Sequence, residues 1–460
     1  MKLFYDVHDK PKFGQLIVFA IQQLLAIMAA TLVVPVIINS NAGLEGKDAM
    51  STAAALFGAG VGTLVYVLFT KAKSPVFLGS SFAFIGSMTA AFAGAASVAV
   101  GYLGLIIGTV FAGLVYVVIA IIVKMVGVNW INKLMPAAVI GPTVAIIGLS
   151  LAGNAVGDLQ KSNVEGGHTL IAVLCGVITL IVVTLCSTYG KKTAKLIPFI
   201  IGILAGYAVA GIFTAIGFAA NIDALKILNI TPITALVADG VTLNTFFTIP
   251  EFTFLTAFGG FGELSGSYIG TIAMAYMPVA FVVFAEHVAD HKNISSIIEK
   301  DLLEDPGLSR TLLGDGVGSM AGALFGGCPN TTYGESVACV AITRNASVAT
   351  IIAAAVGAII ISFLSPFVAF VNSIPSCVMG GVCMALYGFI AVSGLKMVQK
   401  VNLNENKNLF VVSAILISGI GGLSLTFGKI QITSIATALI LGIIINVILS
   451  KAKNEETTEE

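Results

Sequence analysis

Charge is what this sequence has least of. Lysine, arginine, aspartate and glutamate make up 10% of its 460 residues, where a soluble domain carries roughly 25%. So little charge cannot clothe a water-facing surface, which excludes a water-soluble globular fold. The few charges also cancel, 23 basic against 23 acidic, which removes the electrostatic case for a nucleic-acid partner. The six cysteines (Cys175, Cys186, Cys328, Cys339, Cys377 and Cys383) lie in apolar or glycine-rich segments, and none is spaced like a zinc motif. They are expected as buried free thiols.

What the chain does have is apolar length. Hydrophobic residues make up 57% of it, in runs of about 20 that recur from Gly14 to Ser450, the length that crosses a hydrocarbon core of roughly 30 Å. Such runs must be helical, because lipid offers backbone N–H and C=O groups no other partner. The first run has no small-residue cleavage pattern and is expected to stay as the first helix. Segments are expected near 14–38, 50–70, 75–91, 93–123, 134–153, 168–188, 194–219, 268–290, 310–327, 330–345, 347–372, 375–396, 408–427 and 431–450. The fold class is therefore an all-α polytopic membrane protein of fourteen segments.

An even number places both termini on one side. With that side cytoplasmic, all of the 23 Lys and Arg except Lys47, Lys161, Lys226 and Lys429 fall inside, as the positive-inside rule requires. The expected layout is a cytoplasmic N-terminus (1–13), a first seven-span unit (14–220), an extracellular connection (221–267), a second seven-span unit (268–450) and a cytoplasmic tail (451–460). The tail, with NEETTEE, is expected to be disordered and solvated.

Two segments are too short and too interrupted for full helices: SPVFLGSSFAFIGS (74–87) and GCPNTTYGESVACVAITR (327–344). Each opens on a proline and breaks at glycines and small hydroxyl residues. Pro75 lies 61 residues after Gly14, and Pro329 lies 61 after Tyr268. Paired interruptions at matching places in two halves point to a transporter's binding site between inverted repeats.

Charge inside a span costs roughly 2.5–3.5 kcal/mol at a helix centre. Here such residues are Glu286, Asp290, Asp315, Glu335 and Arg344. Asp315, near the start of a span, is expected at the interface, and Arg344 is expected to snorkel there. In FAEHVADHKN, Glu286 and Asp290 share one helix face by their i,i+4 spacing, while His287 and His291 share another. That split argues against a metal site, which would bring histidine and carboxylate onto one face as in H-E-x-x-H. The apolar run before Glu286 is short, so the embedded helix is expected to continue through it. His287 and His291 are expected at the water interface, and Asp290 either faces water or tunes Glu286. Glu335 follows Tyr333-Gly334 in the second broken segment. A half-helix starting there would offer unsatisfied N–H groups and a positive dipole end, so Glu335 is expected to contact a small polar ligand, to cap the helix, or both.

These residues resemble a known family. FLGSSFAFI, AEHVADH, EKDLLEDPGLSRTLLGDG and GGCPNTTYGESVACVAITR are similar to the nucleobase–ascorbate transporter family, its bacterial uracil permeases above all. QQLLAIMAATLVVPV and VMGGVCMALYGFIAVSGL extend the likeness over nearly the whole chain. The resemblance implies two inverted seven-span repeats, a core and a gate domain, and a short strand leading into a half-helix at the third and tenth spans. It implies secondary active uptake of a nucleobase, uracil foremost, with no enzymatic activity and no cofactor. Glu286 and Glu335 would bond the base's polar edge, and the backbone N–H groups of Phe82 and Gly334 its carbonyls, with Tyr333 and Tyr387 lining the pocket. Coupling would be to protons or sodium, with Glu286 as the protonation switch and Asp290 beside it. Relatives also suggest a homodimer.

Three departures from the family pattern stand close to this site. Gln22-Gln23 replaces Gln-His, Asp290 stands where uracil permeases place histidine, and Ser336-Val337-Ala338 replaces Asn-x-Gly. The alternatives are a transporter of xanthine or another purine base, an anion carrier of the same fold, and an intramembrane metalloenzyme built on Glu286, His287, Asp290 and His291. No paired nucleophile and base elsewhere supports an enzyme.

Overall fold

The computed structural model describes residues 3–450 apart from 128, 192, 239, 428 and 429; the acidic tail lies outside the described residues. Helices occupy the places the apolar runs mark out. In chain order they are α1 (Phe13–Ala42), α2 (Thr52–Phe69), α3 (Ile85–Ala93), α4 (Val98–Val126), α5 (Ala137–Ser150), α6 (Thr169–Tyr189) and α7 (Pro198–Ala220). The second set comprises α8 (Gly266–Ile298), α9 (Leu308–Gly326), α10 (Gly334–Thr343), α11 (Val348–Ser362), α12 (Ser376–Val398), α13 (Asn406–Ile420) and α14 (Ser434–Leu449). Among the described residues, eight helical segments are long and apolar enough to cross a membrane, and five further apolar helices are shorter. Local sequence sets the ends. Ser51 and Ser265 each accept a hydrogen bond from the backbone N–H three residues on, which supplies a missing N-terminal partner. Gly43 and Gly327 close α1 and α9 in the left-handed conformation, which lacks a Cβ penalty only at glycine.

Some boundaries moved. The helix expected to end near residue 290 runs on to Ile298, so FAEHVADHKN is helix interior and not a helix end. The single span expected over 347–372 is α11 followed by a separate helix, Ser365–Ser373. Pro366 explains the break: it has no N–H to bond the Ser362 carbonyl in a continuing helix, and sits instead in the first turn of the new one, where that N–H is not needed. The connection 221–267 is a series of short helices. All six cysteines are free, and every one but Cys186 is buried.

The helices form two bundles. α2 packs on α9, α11 and α1, and α4 packs on α8 and α9; α12 packs on α5 and α6, and α13 on α5 and α14. Glycine brings α2 and α9 to backbone contact: a Cβ on Gly58 would lie 2.4 Å from the Gly322 carbonyl oxygen, and one on Gly318 would lie 2.6 Å from that of Gly62. Small residues drive such packing in membranes, where lipid tails compete equally for apolar side chains.

Between the halves runs one feature that apolar length alone would forbid. Strand β1 (Leu78–Ser80) pairs antiparallel with β2 (Asn330–Thr332), with Leu78 opposite Thr332, Gly79 opposite Thr331 and Ser80 opposite Asn330. Each strand leads into a short helix, α3 or α10, and all six residues are buried. Non-helical backbone is tolerated at such depth only where protein satisfies it, and here each strand satisfies the other.

Replacing Gly322 with alanine is expected to destabilise the purified protein by about 1–3 kcal/mol, read as earlier thermal unfolding in detergent. Gly153→Ala is the control, since an added Cβ there meets nothing within 4 Å and should leave the transition in place.

Candidate functional site

The site grows from the crossed strands. Asn330 anchors β2: its amide nitrogen donates to the Gly58 carbonyl at 3.1 Å, and its backbone N–H donates to Ser319 Oγ at 2.9 Å. On the other strand, the Leu78 N–H donates to Thr63 Oγ1 at 2.9 Å. Tyr333 then lays its ring across β1, its hydroxyl donating to the Ser80 carbonyl at 2.7 Å. A Cβ at Gly79 would lie 2.4 Å from that ring, so only glycine lets the tyrosine pass. With β2 held this way, α10 begins at Gly334 and carries Glu335 in its first turn.

Beside these strands lies a cavity of about 470 Å³, within the range of small-molecule sites. Glu286, Asp290 and Glu335 all line it, with Phe82, Tyr333 and Gly334. The expected grouping of Glu286, Glu335, Phe82, Gly334 and Tyr333 around one space is therefore what the structure has. Gly334 is exposed to that space, and as the first helical residue its N–H has no intrahelical acceptor. The second bundle supplies Val144, Phe199 and Phe389 to the lining, which also includes the exposed Lys195. Tyr387 is displaced from its expected place: it is buried behind the wall, its ring edge-on to Phe82 at 5.9 Å.

Asp290 lines the cavity and does not face bulk water. Thr332 Oγ1 donates to its Oδ2 at 2.7 Å, fixing the carboxylate to β2. Two departures from the family pattern turn out to be one contact, since the Gln23 amide donates to Ser336 Oγ. The same oxygen accepts the Phe77 N–H at 3.0 Å, so the substitutions meet beside Glu335 and tie α1, β1 and α10 together.

Three expectations fail. His287, His291 and Asp315 are not interfacial; each is 0% exposed. His287 Nδ1 donates to Asp315 Oδ2 at 2.7 Å, and its Nε2 pairs with Thr311 Oγ1 at 3.0 Å. His291 Nδ1 donates to the His287 carbonyl at 2.8 Å, and its Nε2 pairs with the Tyr66 hydroxyl at 2.7 Å, which lies 2.7 Å from Ser74 Oγ. The two imidazoles stack at 4.0 Å. The physical reason is that α8 buries its histidine face against α2 and α9, whose polar residues satisfy it, while the carboxylate face lines the cavity. The i,i+4 spacing separated the faces correctly; the nonlocal partners were invisible to it. Sequence reasoning also missed Thr332, whose only signal was its place in PNTTYGE. Among the described residues, no group of three or more His, Cys, Asp or Glu is placed to hold a metal ion.

A largely apolar cavity carrying three carboxylates where two broken helices meet, inside a bundle of apolar helices, fits the class of membrane transport proteins. A family model described as "Permease family" matches residues 14–428. The uracil permease of Bacillus caldolyticus is 37% identical over 447 residues, 96% of this chain and 94% of that protein. The uracil permease of Bacillus subtilis (strain 168) is 35% identical, covering 99% and 97%. The chain belongs to the nucleobase–ascorbate transporter family. Its relatives are permeases and not enzymes. Among solved structures, the transmembrane domain of the cyanobacterial bicarbonate transporter BicA covers 96% of this chain, all of that chain, with TM-score 0.60 and 15% identity. Murine Slc26a9, an anion transporter in its inward-facing state, covers 96% of this chain and 69% of its own, at 0.62 and 10%. These two share the inverted-repeat fold.

His287→Leu is expected to leave Asp315 buried without its donor and to cost roughly 1–3 kcal/mol. Adding Asp315→Leu should recover part of the loss, and unfolding in detergent measures both.

Proposed function

We propose that this protein takes up a nucleobase, uracil foremost, by cation symport through alternating access. The observation that carries the proposal is the convergence of Glu286, Asp290, Glu335 and the α10 N-terminus on one cavity. Uracil presents N–H donors and carbonyl acceptors around one ring. Carboxylates of Glu286 and Glu335 match the donors, and the Phe82 and Gly334 N–H groups match the carbonyls, so few buried polar groups stay unpaired. Phe82 and Tyr333 give the ring apolar surface, while Tyr387 acts from behind Phe82. The naming of these two relatives as uracil permeases favours this base over purines. Three carboxylates make the site a poor match for an anion, although the fold neighbours carry anions.

In this account Glu286 takes the coupling proton and Asp290 stands one helical turn away on the same face. Fourteen segments cross the cytoplasmic membrane, with both termini inside by the distribution of lysine and arginine. Residues 14–220 and 268–450 form the two repeats, joined outside by 221–267. The bundle holding the crossed strands is the core, and the other is the gate that rocks against it. The working unit is a homodimer, as the family resemblance implies.

In proteoliposomes, Glu286→Gln is expected to abolish accumulation of labelled uracil driven by a pH gradient while leaving equilibrium binding measurable. Full gradient-driven accumulation by this variant contradicts the assignment of the proton. Glu335→Ala should lose binding while unfolding at the wild-type temperature; unchanged affinity would leave Glu335 as a helix cap alone.

A further inference from the structure

Thr332 is placed to do more than complete a strand. Its main chain is held by the pairing of β2 with β1, where it lies opposite Leu78, and the following N–H, of Tyr333, donates to the Phe77 carbonyl. A β-branched side chain on a fixed backbone has few rotamers, so its hydroxyl has little freedom. That hydroxyl donates to Asp290 Oδ2 at 2.7 Å. The Glu335 carboxylate is bonded by its own backbone, and among the hydrogen bonds of the described residues Asp290 is the cavity carboxylate held by another side chain. The other oxygen, Oδ1, faces Gly334: a Cβ built there would lie 3.9 Å from it. Asp290 is therefore bonded to the paired strand on one side and stands beside the first residue of the half-helix on the other.

We propose that Thr332 is a positioning residue for the transported base. It holds one oxygen of Asp290 and so turns the other across Gly334, adding a third aimed acceptor where the ligand's polar edge meets α10. The inference depends on the nucleobase reading above and deepens it. Thr332 also lines the cavity, so the distinction is drawn through Asp290: removing the hydroxyl lets the carboxylate rotate away from the ligand, and the loss should vanish once that carboxylate is altered.

The test uses the purified full-length protein, with equilibrium binding of labelled uracil and thermal unfolding measured on wild type, Thr332→Val, Thr332→Ser, Asp290→Asn and the Val/Asn double variant. Thr332→Val is expected to weaken binding roughly tenfold, the size of one lost hydrogen bond to a charged group, while Thr332→Ser stays near wild type. In the Asp290→Asn background the valine substitution should change affinity by less than about twofold, because its partner is already altered. Wild-type affinity in Thr332→Val, or a full loss that persists when Asp290 is asparagine, overturns the proposal. So does equal weakening by valine and serine together with a lowered unfolding temperature, which marks a structural role. Wild-type protein that binds no nucleobase overturns the functional reading instead, and is seen before any variant is made.

Discussion

Everything specific to this molecule depends on one pairing, three residues against three, between Leu78–Ser80 and Asn330–Thr332. An apolar interior penalises free backbone groups by several kcal/mol each, which is why membrane chains are helical. Pairing the two breaks with each other removes that penalty and lets two helices begin inside the bundle. A helix that begins inside has its unsatisfied N–H groups and positive end there too. Unsatisfied donors beside the cavity thus follow from the backbone before any side chain is considered.

The surrounding packing serves to hold that pairing still. Glycines bring α2 and α9 together closely enough for Asn330 to reach the Gly58 carbonyl. Gly79 yields its side-chain space to Tyr333, which hydrogen-bonds back to the opposite strand. Gln23 and Ser336 brace the same region from α1. On the far side of α8, the His287–Asp315–Thr311 and His291–Tyr66–Ser74 contacts fix the helix that carries Glu286 and Asp290. Both faces of α8 are polar, one to present carboxylates and one to hold the helix in place.

Much of this was legible in the sequence because it is encoded locally. Apolar runs placed the helices, and proline with glycine placed the two breaks, since those residues act on their own backbone. Glu286 and Glu335 stood out because isolated charge in such surroundings needs a reason. What could not be read was pairing across long separations. Nothing near His287 announces Asp315 or Thr311, and Tyr66 lies 225 residues from His291. Four ionisable residues in FAEHVADHKN therefore looked like the wet end of a helix, when the helix in fact continues to Ile298. Gln23 and Ser336 likewise looked like two separate departures, when they are one contact.

The central claim is that the cavity matches the hydrogen-bonding edge of a nucleobase. Competition for labelled uracil uptake into proteoliposomes tests it most directly, with excess unlabelled uracil, xanthine, bicarbonate and sulfate, each with and without an inward proton gradient. The account predicts that uracil competes, that bicarbonate and sulfate do not, and that accumulation requires the gradient. Competition by the anions with none by any base would contradict it.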